Sequence, residues 1–383
     1  MAQTSTHFVS DKVKALCFLK DVRANEHERV ELLPLLAVGG WDADVNTLAL
    51  YLPVVSTSDE EQLRAEFAPQ TVRSSTNGCD LKAVAQVAHE GDVNALGFVS
   101  TGSANRLFSA SSTGSVFAYS VGEGSGDQVL APIAVPQWKS LTRGAVTSLD
   151  VSPHHSTIAV AAESGEVAWL RLDESDHSAQ VIRNNDSSRL ALHQIKMLGR
   201  ESLVATVGAT PGSQLRLWDI NANQSFPVLS AADPQTTSAL TSIEVHPTRP
   251  ELLVTGSDDG RVALWDQRRL DAPFRVEVKH QRAVHALKVH ETSPRYLFSA
   301  GADASVLSWD FHHGRSPSDT VEYERHLQAH GATGLHVKSV SSGFLPWNVM
   351  AFHADSDTLV AGSDAQSLLL VRGASRAQSQ WTQ

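Results

Sequence analysis

The chain has 383 residues, of which 19% are charged and 42% hydrophobic, and a formal net charge of −11 at pH 7. That balance suits a water-soluble globular protein. No run approaches the ~18 apolar residues of a membrane span, and the acidic sign argues against general binding to nucleic-acid phosphates. Only Cys17 and Cys79 occur, in no paired ligand pattern, and Met1 to Ser10 lacks a basic segment followed by an apolar one. A reducing cytosolic or nuclear compartment is expected from both, which would leave the glycosylation patterns at Asn185 and Asn223 unused.

In chain order, short apolar runs separated by Gly, Asp and Ser turns recur in groups of three. They fall at 13–18, 36–42 and 47–51, at 93–98, 107–114 and 116–119, and at 145–151, 157–165 and 167–170. Further groups lie at 191–197, 203–208 and 214–219, at 239–247, 252–260 and 261–266, at 283–290, 296–303 and 305–310, and at 348–352, 359–364 and 367–371. Apolar and small or polar residues alternate within them, which predicts strands with one face packed. Turns such as Ser257-Asp258-Asp259-Gly260 close hairpins, with Gly supplying backbone freedom and Asp bonding its own main chain. One residue near the end of each third strand forms a column: Tyr51, Tyr119, Leu170, Trp218, Trp265, Trp309 and Val371.

Trp265-Asp266 and Trp309-Asp310 stand 44 residues apart. A period of about 40–45 residues with a strand-terminal Trp-Asp resembles the WD-repeat β-propeller family, in which one repeat makes one four-stranded blade. The expected fold is therefore all-β, a single seven-bladed propeller over 1–383. Its blades are placed near 12–87, 88–135, 144–183, 190–230, 239–279, 283–328 and 347–373. The last blade lacks an outer strand of its own; an N-terminal strand at 8–10, Phe8-Val9-Ser10, is expected to supply it and to remove an exposed edge.

In this family a His before the first strand, a Ser or Thr on the second, an Asp in the turn and the Trp form a hydrogen-bonded set. The resemblance assigns that structural tetrad to His280, Ser299, Asp303 and Trp309. The preceding repeat carries Thr255, Asp259 and Trp265, with Thr236 at the His position. His89 opens another repeat in which Thr113 replaces the Asp.

The wider steps of the column mark two loop insertions. In 53–80, Ser58 and Glu61 form a capping box and Leu63 and Phe67 an apolar pair, which predicts a short amphipathic helix at 58–67. The other runs over 311–346 and ends in a Ser/Gly-rich stretch. Insertions on a repeat scaffold fall in surface loops, often on the binding face.

Catalytic and ligand motifs were sought. Gly122-Glu123-Gly124-Ser125-Gly126 has neither the Lys nor the strand and helix context of a phosphate loop and reads as a linker. His154-His155 and His312-His313 are adjacent pairs, which on a strand point to opposite faces, and no Cys or carboxylate cluster accompanies them. No Gly-x-Ser-x-Gly elbow is present. The expectation is a protein with no catalytic site, no metal and no cofactor. Arg261, Arg268, Arg269, Arg275, Lys279 and Arg282 are expected to be solvated surface.

Phe8-Val9-Ser10-Asp11-Lys12-Val13, Gly40-Trp41-Asp42, His89-Glu90-Gly91-Asp92-Val93, Ala110 to Gly114, Asn185-Asp186-Ser187-Ser188 and Val360 to Ala365 resemble, in this order, the WD-repeat nucleoporins of the Y-shaped outer-ring complex. The resemblance implies a non-catalytic, monomeric subunit of a hetero-oligomer at the nuclear pore. Its partners there are helical-solenoid nucleoporins, with no direct nucleic acid and no membrane insertion, and a kinetochore role in mitosis is also implied. The competing reading is another WD-repeat adaptor, either a histone-binding chromatin protein or a cullin-type ubiquitin-ligase receptor. For the latter, Trp265-Asp266-Gln267-Arg268 matches the Trp-Asp-x-Arg pattern.

Overall fold

The computed structural model describes residues 3–20, 31–55, 79–101, 104–122, 129–152, 157–172, 178–182, 191–222, 226–311 and 335–375. The strands form seven antiparallel sheets. Their inner strands are Lys12–Leu19, Val93–Ser100, Val146–Val151, Leu192–Leu198, Leu240–Val245, Val284–Val289 and Trp347–His353. Each packs against the next, and the last packs against the first. That cycle is a closed seven-bladed β-propeller; the blades are numbered 1 to 7 in chain order of these strands.

Burial explains the sequence pattern. The second strands Thr157–Ala162, Tyr296–Gly301 and Thr358–Ser363 are buried at every residue, because neighbouring blades cover both faces; they therefore read as continuous apolar or small runs. The core is correspondingly divided into seven apolar clusters, one at each seam between blades. Close approach across the seams selects glycine. A Cβ on Gly39 would fall inside the Val93 side chain of the next blade, and one on Gly362 would meet Val13 in the same way.

The ring closes through the N-terminus, but the strand is Gln3–Phe8, not 8–10. It pairs antiparallel with Ser367–Arg372, from Gln3 opposite Arg372 to Phe8 opposite Ser367. Its sequence, Gln-Thr-Ser-Thr-His-Phe, hides it: an edge strand held by backbone bonds needs little apolar alternation. Blade 6 also departs from expectation. Its outer strand is His336–Ser342, inside the range predicted as the insertion 311–346 and beyond the predicted blade limit at 328; Asp310 faces His336 and Ser305 faces Ser342.

The insertion 53–80 is strand at both ends, since blade 1 extends its third strand over Asn46–Val55 and its outer strand over Cys79–His89. Glu31–Leu32 continues the second strand along the same edge, before Pro34 interrupts it. The helix predicted at 58–67, the two histidine pairs, most of the Gly122–Gly126 run and both glycosylation patterns lie outside the described residues.

Candidate interaction site at the axial channel

The residues singled out from sequence lie inside the blades. In blade 6, Trp309 donates its indole N–H to Ser299 Oγ at 2.7 Å, and Ser299 Oγ is 2.7 Å from His280 Nε2. His280 Nδ1 lies 3.0 Å from Asp303 Oδ2, and Ser305 donates to Asp303 Oδ1 at 2.6 Å. An indole N–H can only donate, so one neutral arrangement satisfies the chain: Trp309 to Ser299, Ser299 hydroxyl to Nε2, and Nδ1–H to Asp303. Burial opposes ionisation of Asp303, but bonds from Ser305, the Gln281 N–H and His280 outweigh it and hold the carboxyl below its ordinary range. Such a closed set ties the inner strand's entry to the third strand.

The incomplete sets show what each absence costs. In blade 5 Trp265 donates to Thr255 Oγ1 at 2.9 Å, while Thr236 reaches Asp259 at 2.9 Å; that hydroxyl is too short to bridge to Thr255 as an imidazole does. In blade 2 His89 Nε2 meets Ser109 Oγ at 2.8 Å, and its Nδ1 turns to the Gly91 carbonyl because Thr113 offers no carboxylate. The column residues Tyr51, Tyr119, Leu170, Trp218, Trp265, Trp309 and Val371 occupy one register position. They pair with Leu36, Leu107, Ile158, Val204, Leu253, Leu297 and Leu359 respectively. Each fully buried Trp removes 150–250 Å² from water, worth about 4–6 kcal/mol before entropy.

A second seven-membered set lines the axis and was missed in the sequence. Every inner strand has a bulge near its start, after the first paired residue in six blades and after the second in blade 1, and the extra residue is Lys14, Asn94, Thr147, His193, Thr241, His285 or Asn348. Six of these reach a carbonyl on the next blade. Asn94 donates to Val146 O at 2.7 Å, Thr147 to Leu192 O at 2.7 Å and Thr241 to Val284 O at 2.6 Å. His193 lies 2.9 Å from Leu240 O and His285 3.2 Å from Trp347 O, while Asn348 closes the cycle on Val13 O at 3.1 Å. A polar residue directly after the first apolar one, as in Val-Asn-Ala-Leu or Val-His-Ala-Leu, was the available signal. Lys14 is the exception: its ammonium lies 5.0 Å from the Trp41 ring.

Deeper in the channel the inner strands carry a row of alternating charge. Lys196 Nζ is 3.6 Å from Asp150 and 3.3 Å from Glu244, and Lys288 Nζ is 2.8 Å from Glu244. Burial alone would raise the Glu244 carboxyl, but the two ammoniums outweigh it and hold it well below its ordinary value. A carboxylate kept ionised and paired as Glu244 is does not offer the raised pKa of a general acid. Cys17 is half-buried, and desolvation pushes its thiol up to about 11 despite Lys288, Lys20 and Lys196 nearby. Among the described residues no group of three or more His, Cys, Asp or Glu is placed to hold a metal ion.

Of the cations expected as solvated surface, Arg275 is instead buried, at 3% exposed, with its guanidinium over the Phe311 ring, and others are spent on neighbours. Arg261 pairs with Asp259 at 3.1 Å, Arg268 with Asp266 at 2.6 Å, Arg269 with Asp271 at 3.6 Å and Arg275 with Glu277 at 3.0 Å. The Arg of the Trp-Asp-x-Arg match thus folds back on the Asp of its own motif.

A closed seven-bladed propeller with a Trp column and an internal His-Ser-Asp-Trp set has the architecture of the WD-repeat β-propellers. The family model "WD domain, G-beta repeat" matches residues 228–266, the blade 5 repeat. Beyond the fold, the chain is 26% identical to Nucleoporin Nup43 of Mus musculus and 25% identical to Nucleoporin Nup43 of Homo sapiens. Each match covers 256 residues, 64% of this chain and 60% of the relative. The match therefore spans less than two thirds of the curated relatives' length.

Proposed function

We propose that this chain is a non-catalytic scaffold subunit of the nuclear pore, a member of the Y-shaped outer-ring complex that supports nucleocytoplasmic transport by holding other proteins in place. The observation that carries the reading is the similarity to Nucleoporin Nup43 over 256 residues. The architecture agrees with it: seven seams each packed with an apolar cluster make a rigid body, and rigid propellers serve as platforms through their loop ends. The partners in this reading are protein chains of the same complex, most simply helical solenoids, and the location is the nuclear pore.

Affinity purification of the tagged chain under mild salt, with identification of the bound chains, tests the reading. Pore-scaffold proteins are the expected recovery. A recovered set with ubiquitin-ligase subunits or histones and no pore-scaffold chain would overturn it in favour of the adaptor alternative.

A further inference from the structure

The unlatched position of the axial ring carries an inference about what this platform grips. Six of the seven bulge residues are bonded to the next blade, and the seventh is Lys14. It lines the axial channel, a cavity of about 440 Å³ whose wall takes residues from all seven blades, Trp41, Asn94 and Asp364 among them. The other lysines on that wall, Lys196 and Lys288, are committed to Asp150 and Glu244. No carboxylate lies within ion-pairing distance of Lys14 among the described residues; its neighbour Lys12 is paired with Asp42.

The acids that Lys14 senses from further away are engaged or remote. Asp92 accepts from the Asp42 N–H and from Asn46, and Asp364 accepts from Asn348 at 2.6 Å, while Glu163 stands exposed on its turn. One further donor on the same wall lacks a partner: the Trp41 indole N–H is buried and unbonded. A native structure seldom leaves such a group idle. Beside the cavity, on the loop that enters it at Pro346, Phe344 is fully exposed and Leu345 is 47% exposed.

We propose that the mouth of the axial channel at blade 1 is a docking site for an acidic side chain of a partner protein. Its carboxylate is received by the Lys14 ammonium and the Trp41 indole N–H, and apolar residues flanking it cover Phe344 and Leu345. A single lysine and a single N–H suit a monoanion, and the nearby Asp364 and Glu163 disfavour a dianion such as phosphate. A small free acid would leave the apolar pair uncovered, which is why the partner is a protein segment. The inference concerns the isolated chain and does not depend on which complex holds it, so its test is separate from the purification above.

The test follows the Trp41 indole cross-peak of ¹⁵N-tryptophan-labelled protein, assigned with Trp41→Phe, during titration with acetyl-Leu-Glu-Leu-amide. The peak is expected to move saturably with this peptide and to stay in place with the Gln counterpart. Lys14→Gln should weaken the response about 10- to 100-fold, the loss of one charged hydrogen bond, whereas Lys14→Arg and Lys12→Gln should retain it. The remaining indole peaks report that each variant is folded. No movement with the Glu peptide, equal movement with the Gln peptide, or an unchanged response in folded Lys14→Gln overturns the proposal. Tighter binding of free glutarate or of inorganic phosphate than of the peptide overturns the assignment to a partner's carboxylate.

Discussion

Replacing Ser299 by Ala removes one oxygen that serves two buried groups. The Trp309 indole N–H and His280 Nε2 both lie 2.7 Å from Ser299 Oγ, and Ser299, His280 and Trp309 are each at most 2% exposed. Water cannot replace the lost partner, so each orphaned group costs about 1–3 kcal/mol and the pair about 2–6 kcal/mol. Blade 5 supplies an internal control, because Thr255 Oγ1 serves the Trp265 N–H without an imidazole. Thr255→Val should therefore cost only about 1–3 kcal/mol. Equilibrium urea unfolding, followed by far-UV circular dichroism, would give both losses as shifts in midpoint at constant slope. A double-mutant cycle of Ser299→Ala with Trp309→Phe should show positive coupling, since the second change removes the orphaned donor. A loss in Ser299→Ala no larger than in Thr255→Val, with no coupling to Trp309, would refute the reasoning that the set is held by satisfied buried groups.

Three further outcomes follow from the structure. His246 is buried and its imidazole is lowered from 6.5 to about 4, chiefly by desolvation; the unfolded chain takes up a proton that the folded chain refuses, so stability is full above pH 6.5 and falls between about 6.5 and about 4. The midpoint of thermal unfolding should decline across that window and decline less in His246→Gln, whereas an equal decline in both would contradict it. Cys17, half-buried and with its thiol pushed up to about 11 by desolvation, should react more slowly with iodoacetamide at pH 7.5 in the native protein than in denaturant, in a Cys79→Ser background; equal rates would show that the fold does not hold the thiol protonated. Deleting residues 1–8 removes the strand on Ser367–Arg372 and leaves that edge unpaired, so melting should drop and concentration-dependent association appear. Unchanged melting would mean that closure does not depend on this strand.

The fold was legible because its determinants are local and repeated. A tight turn, a small residue where the next blade inserts and a large residue in the Trp column recur, and these are set by close packing at every seam. The outer strands were less legible: Gln3–Phe8 and His336–Ser342 contribute mainly backbone to the ladder, so polar or Ser-rich sequences serve and hydrophobic patterning is faint. Within the channel, the bulge residues Asn94, Thr147 and Asn348 look like ordinary polar positions of half-buried strands. Their role depends on the carbonyl of a blade 40 or more residues away, which a linear reading does not place. Lys14 could be distinguished only once its six counterparts were seen to be bonded.

Imaging of the chain expressed at its native level with a fluorescent tag, in cells of its own source, tests the central claim most directly. A punctate signal confined to the nuclear rim through interphase, coincident with a pore marker, is the predicted result. A diffuse nucleoplasmic or cytosolic signal with no enrichment at the rim would contradict it.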